Sequence, residues 1–110
     1  MNVRDDRFQL RSRLAGTDRH QLAAHSDAVR RLLLQILHGA SDANIRFSDV
    51  ALLLRDLKFQ ERVRGSHHIF TREGIQEILN LQPRGSMAKP YQVRQVRNVI
   101  VRYKLAEGLE

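Results

Sequence analysis

The 110-residue chain predicts an α+β fold in which helices cover one side of a small antiparallel sheet. Three observations carry that expectation. Apolar residues recur at helical spacing in three separate stretches, the period changes to alternation from Phe59, and Gly65-Ser66 supplies a two-residue turn between extended segments. The resulting order is helix, helix, strand, strand, strand, helix, with one sheet face left open for a ligand.

Each element has its own warrant. Residues 1–25 mix Arg, Asp, Gln and Gly without a sustained apolar period, which reads as a poorly ordered arm or a frayed helix. Ser26 is the expected N-cap of a first helix, with Val29, Leu32, Leu33, Ile36 and Leu37 on one stripe and Gly39 as its stop. That stripe is core before it is a partner-binding face. A short second helix opens at Ser48, places Asp49 in its positive first turn, aligns Val50, Leu53, Leu54 and Leu57, and ends near Lys58. Phe59, Glu61 and Val63 then alternate with Gln60, Arg62 and Arg64 before the turn, and His67 to Arg72 is extended again. Arg72-Glu73-Gly74 is a further turn, followed by Ile75 to Gln82, which is read as a third strand stopped by Pro83 in preference to the one helical turn that Ile75, Ile78 and Leu79 also fit. Pro90 suits the first turn of a last helix whose buried face is Val93, Val96, Ile100 and Tyr103, with Arg94, Arg97 and Arg102 largely off it.

Composition limits the chemistry. The chain has no cysteine, so disulfides, thiolate nucleophiles and Cys-based zinc sites are excluded. No apolar run approaches the roughly 18 residues of a membrane span, and Met1 to Leu10 is charged, so a soluble cytoplasmic chain is expected. Net charge is +7, with only Lys58, Lys89 and Lys104 as lysines among 19 cations. Five cations and no acid fall between Met87 and Ala106. Such a balance suits a polyanionic partner. No glycine-rich phosphate loop follows a strand and opens a helix, and the scattered histidines do not form a metal-ligand pattern, so no cofactor and no metal are expected.

The stretch Arg62-Val63-Arg64-Gly65-Ser66-His67-His68-Ile69-Phe70 is the chemically richest. Two arginines, a tight turn, a hydroxyl and two histidines at a hairpin mouth can hold phosphate and move protons near pH 7. Cleaving RNA without a metal needs a base for the 2′-hydroxyl and cations for the charge that builds on the phosphoryl oxygens. Successive strand residues face opposite ways, so the two histidines are not a close pair. If Phe70 faces the core, His68 shares its side and His67 shares the open side with Ile69, which favours His67 as general base. Tyr91 is a possible stacking residue for a base, although packing is the commoner use of an aromatic near a helix start.

Phe47-Ser48-Asp49-Val50 through Leu57-Lys58-Phe59, then Arg64-Gly65-Ser66-His67-His68-Ile69-Phe70, a short strand, a proline and a basic terminal helix together resemble the HicA family of toxins, over about residues 45–105. The resemblance implies a fold similar to the double-stranded RNA-binding domain, here with an extra N-terminal helix, and an activity as a metal-independent messenger-RNA endoribonuclease. It also implies a HicB-like antitoxin partner that covers the site. The family's functional histidine follows the Gly-Ser pair, which falls on His67, while members that place it one position later make His68 a candidate. Gly65 and Ser66 match the motif turn. Arg62, Arg64, Arg84, Lys89, Arg94 and Arg97 are the cations expected to meet RNA. Two features depart from the family: Gln82-Pro83-Arg84 lacks the histidine that often follows the proline, and about 45 residues precede the family core. The helix in that extension has three available roles, packing on the domain, extending the antitoxin interface, or self-association. Two other readings share the basic charge: a non-catalytic RNA- or DNA-binding module, which binds with strong salt dependence and does not cleave, and a protein-interaction module that prefers an acidic partner.

Overall fold

The computed structural model describes residues 16–107, and within them the order is helix α1 (Gly16–His38), a 3₁₀ turn (Asp42–Asn44), α2 (Phe47–Asp56), strands β1 (Gln60–Arg64), β2 (His67–Thr71) and β3 (Leu79–Leu81), and α3 (Pro90–Arg102). This is the expected α+β architecture with a three-stranded antiparallel sheet in the order β1-β2-β3. Among the described residues no helix is long and apolar enough to cross a membrane.

α1 starts ten residues before Ser26, which therefore lies inside the helix rather than capping it. Residues 1–15 of the expected arm lie outside the described residues, and 16–25 are the first turns of α1. The apolar stripe fulfils its packing role: Val29, Leu33 and Ile36 are fully buried, so this helix is part of the core and not an appendage. Gly39 closes it with φ at +72°, a backbone geometry that an L side chain rarely adopts.

α2 buries Phe47, Val50, Ala51, Leu53 and Leu54. It begins one residue before the expected Ser48, with Arg46 at the N-cap position. Its C-terminus is closed by paired bonds, Lys58 N–H to the Arg55 carbonyl and Phe59 N–H to the Leu54 carbonyl, both at 2.9 Å, with Lys58 at φ +75°. The buried Phe59 and Leu54 supply the apolar contact that accompanies this closure.

The Gly65-Ser66 turn sets the register of the hairpin, pairing Arg64 with His67, Val63 with His68, Arg62 with Ile69 and Glu61 with Phe70. Gly65 has φ +60° while Ser66 does not share the positive region, the glycine-first pattern of a type II′ turn. β2 then pairs with β3 through His68 and Leu81, Ile69 and Asn80, and Phe70 and Leu79. Phe70, Leu79 and Leu81 point into the core beneath the helices, whereas Arg62, Arg64, His67 and Asn80 remain exposed on the other face.

The third strand is three residues long, not the expected Ile75 to Gln82. Ile75 N–H turns back to the Arg72 carbonyl at 3.0 Å. Gln76 N–H donates to the Tyr103 hydroxyl, which itself donates to Glu77 at 2.6 Å. Gln76 and Glu77 are thus tied to the residue that follows α3 instead of to β2. Beyond β3, the buried Gln92 amide pairs with the Gln82 backbone, donating to its carbonyl and accepting from its N–H, so a side chain replaces the ladder where the strand ends.

α3 presents Val93, Val96, Val99 and Ile100 to the core, as its periodicity requires. Its half-buried Arg97 reaches across to α1 and the 3₁₀ turn, meeting Asp42 through two nitrogens at 2.9 and 3.0 Å and the Ile36 carbonyl at 3.0 Å. The last carbonyls of α1 and the start of the next segment are therefore anchored by one guanidinium.

Candidate active site: a histidine cleft beside helix α2

The hairpin separates its two histidines as strand alternation demands. His67 is exposed on the open face, opposite Arg64, with its Nδ1 3.1 Å from the Asn80 Oδ1. Arg62 lies on the same exposed face, and neither arginine has a side-chain partner among the described residues. Ser66 at the turn accepts a hydrogen bond from the Gln82 Nε2 at 2.9 Å, which ties the turn to the residue after β3. This is a cationic, open surface with a histidine in it.

His68 faces the other way, into a different environment. Its ring packs edge-on against Phe47 in the first turn of α2, with centroids 4.8 Å apart. Its Nδ1 lies 2.8 Å from the Glu61 Oε2. The other oxygen of Glu61 accepts from the Arg55 Nε at 2.8 Å, and the Arg55 Nη2 completes the ion pair at the same distance. The Glu61 side chain is 14% exposed. Burial pushes its carboxyl up, but the hydrogen bonds from His68 and Arg55 and the positive charge of Arg55 outweigh it, so the carboxyl sits below its ordinary value and is ionised at neutral pH.

A cleft of about 340 Å³ opens over this ring, lined by Arg46, Ser48, Ala51, Arg55 and His68 on one side and by Pro83, Gly85 and Ser86 on the other. The second wall is held against α2 by a short ladder. Phe47 N–H donates to the Ser86 carbonyl at 3.0 Å and Ala88 N–H to the Ile45 carbonyl at 2.9 Å. Arg84 and Met87 close that loop on each other through two backbone bonds. The Arg46 side chain is exposed and has no partner among the described residues, so it is the cation in this cleft left for a ligand.

The remaining residues expected to meet RNA divide into two groups. Arg84 and Arg94 are exposed, and Lys89 is half-buried at the N-cap position of α3. Arg97 is different: its guanidinium is engaged by Asp42 and the Ile36 carbonyl, a structural task within the fold. Tyr91, two residues after Lys89, is half-exposed. Arg46, Arg55 and Glu61 were not singled out in the sequence. Glu61 had a signal: a two-residue turn at 65–66 puts residues 61, 63, 68 and 70 on one face, making Glu61 the diagonal neighbour of His68. Arg46 and Arg55 had none, because their place depends on how α2 docks.

Among the described residues no group of three or more His, Asp or Glu side chains is arranged to hold a metal ion. Comparison with protein-family models, with curated proteins and with solved structures finds no match to this chain.

Proposed function

We propose that this chain is a HicA-like endoribonuclease with a fold of the double-stranded RNA-binding type, neutralised by a HicB-like antitoxin, and that His68 is its general base. The observation that carries the reading is the His68 ring, bonded through Nδ1 to an ionised Glu61 at 2.8 Å inside a cleft that also holds the unpartnered Arg46. A neutral ring in that arrangement keeps Nε2 for the ribose 2′-hydroxyl. The 2′-oxygen attacks the adjacent phosphorus as His68 takes its proton, Arg46 stabilises the phosphoryl oxygens, and the 5′-oxygen leaves with a proton from solvent as a cyclic phosphate forms. His68 is favoured over His67 because its ring lines the cleft and bonds a carboxylate, whereas the hydrogen-bond partner of the His67 ring is the neutral Asn80 amide. The open face, with Arg62, Arg64 and His67, suits guidance of the RNA backbone.

The test is RNA cleavage by purified protein in EDTA. His68→Ala is expected to lose cleavage by about a hundredfold or more while RNA affinity stays within a few-fold. His67→Ala is expected to retain most of it. Full activity in His68→Ala with loss in His67→Ala would return the base to the open face. Salt-dependent binding with no cleavage by the wild type would favour the non-catalytic RNA-binding module instead.

A further inference from the structure

We infer that Glu61, held in place by Arg55, is a positioning residue that fixes the neutral His68 ring with its proton on Nδ1, so that Nε2 is the unprotonated nitrogen available in the cleft. The role rests on the ribonuclease reading, but the tautomer is a property of the protein alone.

A histidine side chain free in water prefers the opposite tautomer, with the proton on Nε2. Reversing that preference requires a strong acceptor at Nδ1 and no competing one at Nε2. Glu61 meets the first condition, since an ionised carboxylate only accepts hydrogen bonds and its Oε2 is 2.8 Å from Nδ1. For the second, the cleft lining brings no carboxylate to compete with Glu61. Its charged groups are Arg46 and Arg55, which are donors; its hydroxyls, Ser48 and Ser86, are far weaker acceptors than a carboxylate; and β3 brings apolar Leu81 opposite His68. Phe47 packs on the ring and stops it from rotating freely.

Arg55 has a defined part in this. Its Nε and Nη2 both engage Oε1, which commits that oxygen and leaves Oε2 for the histidine. The carboxylate is thereby oriented across the hairpin from a helix, and Arg55 is a support of the base and not a ligand of the RNA phosphate. Two cations of one cleft thus separate into two roles, Arg46 toward the ligand and Arg55 toward Glu61.

The experiment is nitrogen NMR of full-length protein labelled on its histidine rings, recorded about two pH units above the imidazole titration, with steady-state cleavage measured in parallel. Wild type is expected to show the His68 ring as the Nδ1–H tautomer. In Glu61→Gln the amide can offer Nδ1 either an oxygen or an N–H, and the ring is expected to become a mixture. Cleavage should then fall by about tenfold or more in kcat with KM little changed. Arg55→Gln is expected to give a smaller shift in the same direction, and Glu61→Asp to restore the wild-type tautomer in part. A wild-type His68 already carrying its proton on Nε2, or a Glu61→Gln ring unchanged from wild type, overturns the inference. Because the spectrum needs no substrate, a chain that fails to cleave RNA would sink the ribonuclease reading and leave the tautomer result to stand or fall separately. Thermal melts of each variant check that the fold persists.

Discussion

Arg97 illustrates how a single side chain is diverted from a surface role by its neighbours. On α3 it lies beside the buried face, and the approach of α1 leaves the Ile36 carbonyl and Asp42 within reach of one guanidinium. The hydrogen bond from Arg97, working against burial and helped by the charges of Arg97 and Arg94, lowers the Asp42 carboxyl below its ordinary value, and the same bond raises Arg97. Arg97 stays charged across the whole accessible range, so the pH dependence of the pair belongs to Asp42. A carboxyl whose folded-state pKa is depressed adds stability that is present above its unfolded value, near 4, and is lost as pH falls through the folded value. Asp42→Asn is therefore expected to lower stability at pH 7 by about 1–2 kcal/mol, toward the lower end because solvent still reaches the pair. The gap to wild type should begin to narrow below about pH 4 and close as pH falls through the lower folded value. Urea titrations at pH 7 and in steps down from about pH 4 check this, and a gap that persists unchanged throughout the acid series would show that packing, not the ion pair, was lost. Glu61 obeys the same sign, so acid should also weaken the hairpin's attachment to α2.

At the scale of elements, α2 and α3 end in the same way, with a lysine where a glycine is usual. Lys104 has φ +56°, and Leu105 N–H returns to the Ile100 carbonyl at 2.9 Å, repeating the Lys58 and Phe59 arrangement at the end of α2. Both closures are held by apolar pairs, Phe59 with Leu54 and Leu105 with Ile100, which oppose the cost of a left-handed lysine of about 1 kcal/mol. Replacing Lys58 or Lys104 by glycine should raise stability by about 0.5–1 kcal/mol each, a gain measurable as a higher urea midpoint at unchanged slope. A fall in the midpoint would mean that the lysine stem or charge contributes more than its backbone strain. The end of α2 near Lys58 was legible from the change of apolar period, but the left-handed lysine at each end was not, since the closure is made by apolar contacts rather than by a glycine. What the sequence did make legible was periodicity: the stripe Val29, Leu33, Ile36, the alternation through the hairpin, and the turn at Gly65-Ser66, from which the opposite facing of His67 and His68 follows. The start of α1 was missed because nothing in 16–25 repeats at an apolar helical spacing. The length of β3 was misjudged because Ile75 and Ile78 look like strand residues, while Tyr103, far away in sequence, takes the backbone of that segment. The cleft was invisible for the same reason, as its arginines come from α2 and its second wall from the loop before α3.

For the whole molecule, the net charge of +7 matters less than which cations remain available. Arg55, Arg97 and Arg102 are engaged with Glu61, Asp42 and Glu77. Arg46 at the cleft and Arg62 and Arg64 on the open sheet face have no side-chain partners among the described residues, and Arg84 is exposed on the loop that walls the cleft. A strand of RNA entering the cleft would release counterions at those sites and gain nothing from the engaged ones. The expectation is a linear fall of log K with log salt, in which Arg64→Gln reduces the slope by about 1. Arg97→Gln should leave the slope unchanged while lowering the thermal midpoint, since its guanidinium holds α1 to α3 and faces no ligand. Measured in the His68→Ala variant, which the proposed mechanism expects to leave the RNA intact, the two substitutions separate binding charge from structural charge. Equal slopes for Arg64→Gln and the parent would show that the open face does not contact the backbone, and would confine the RNA to the α2 side of the sheet.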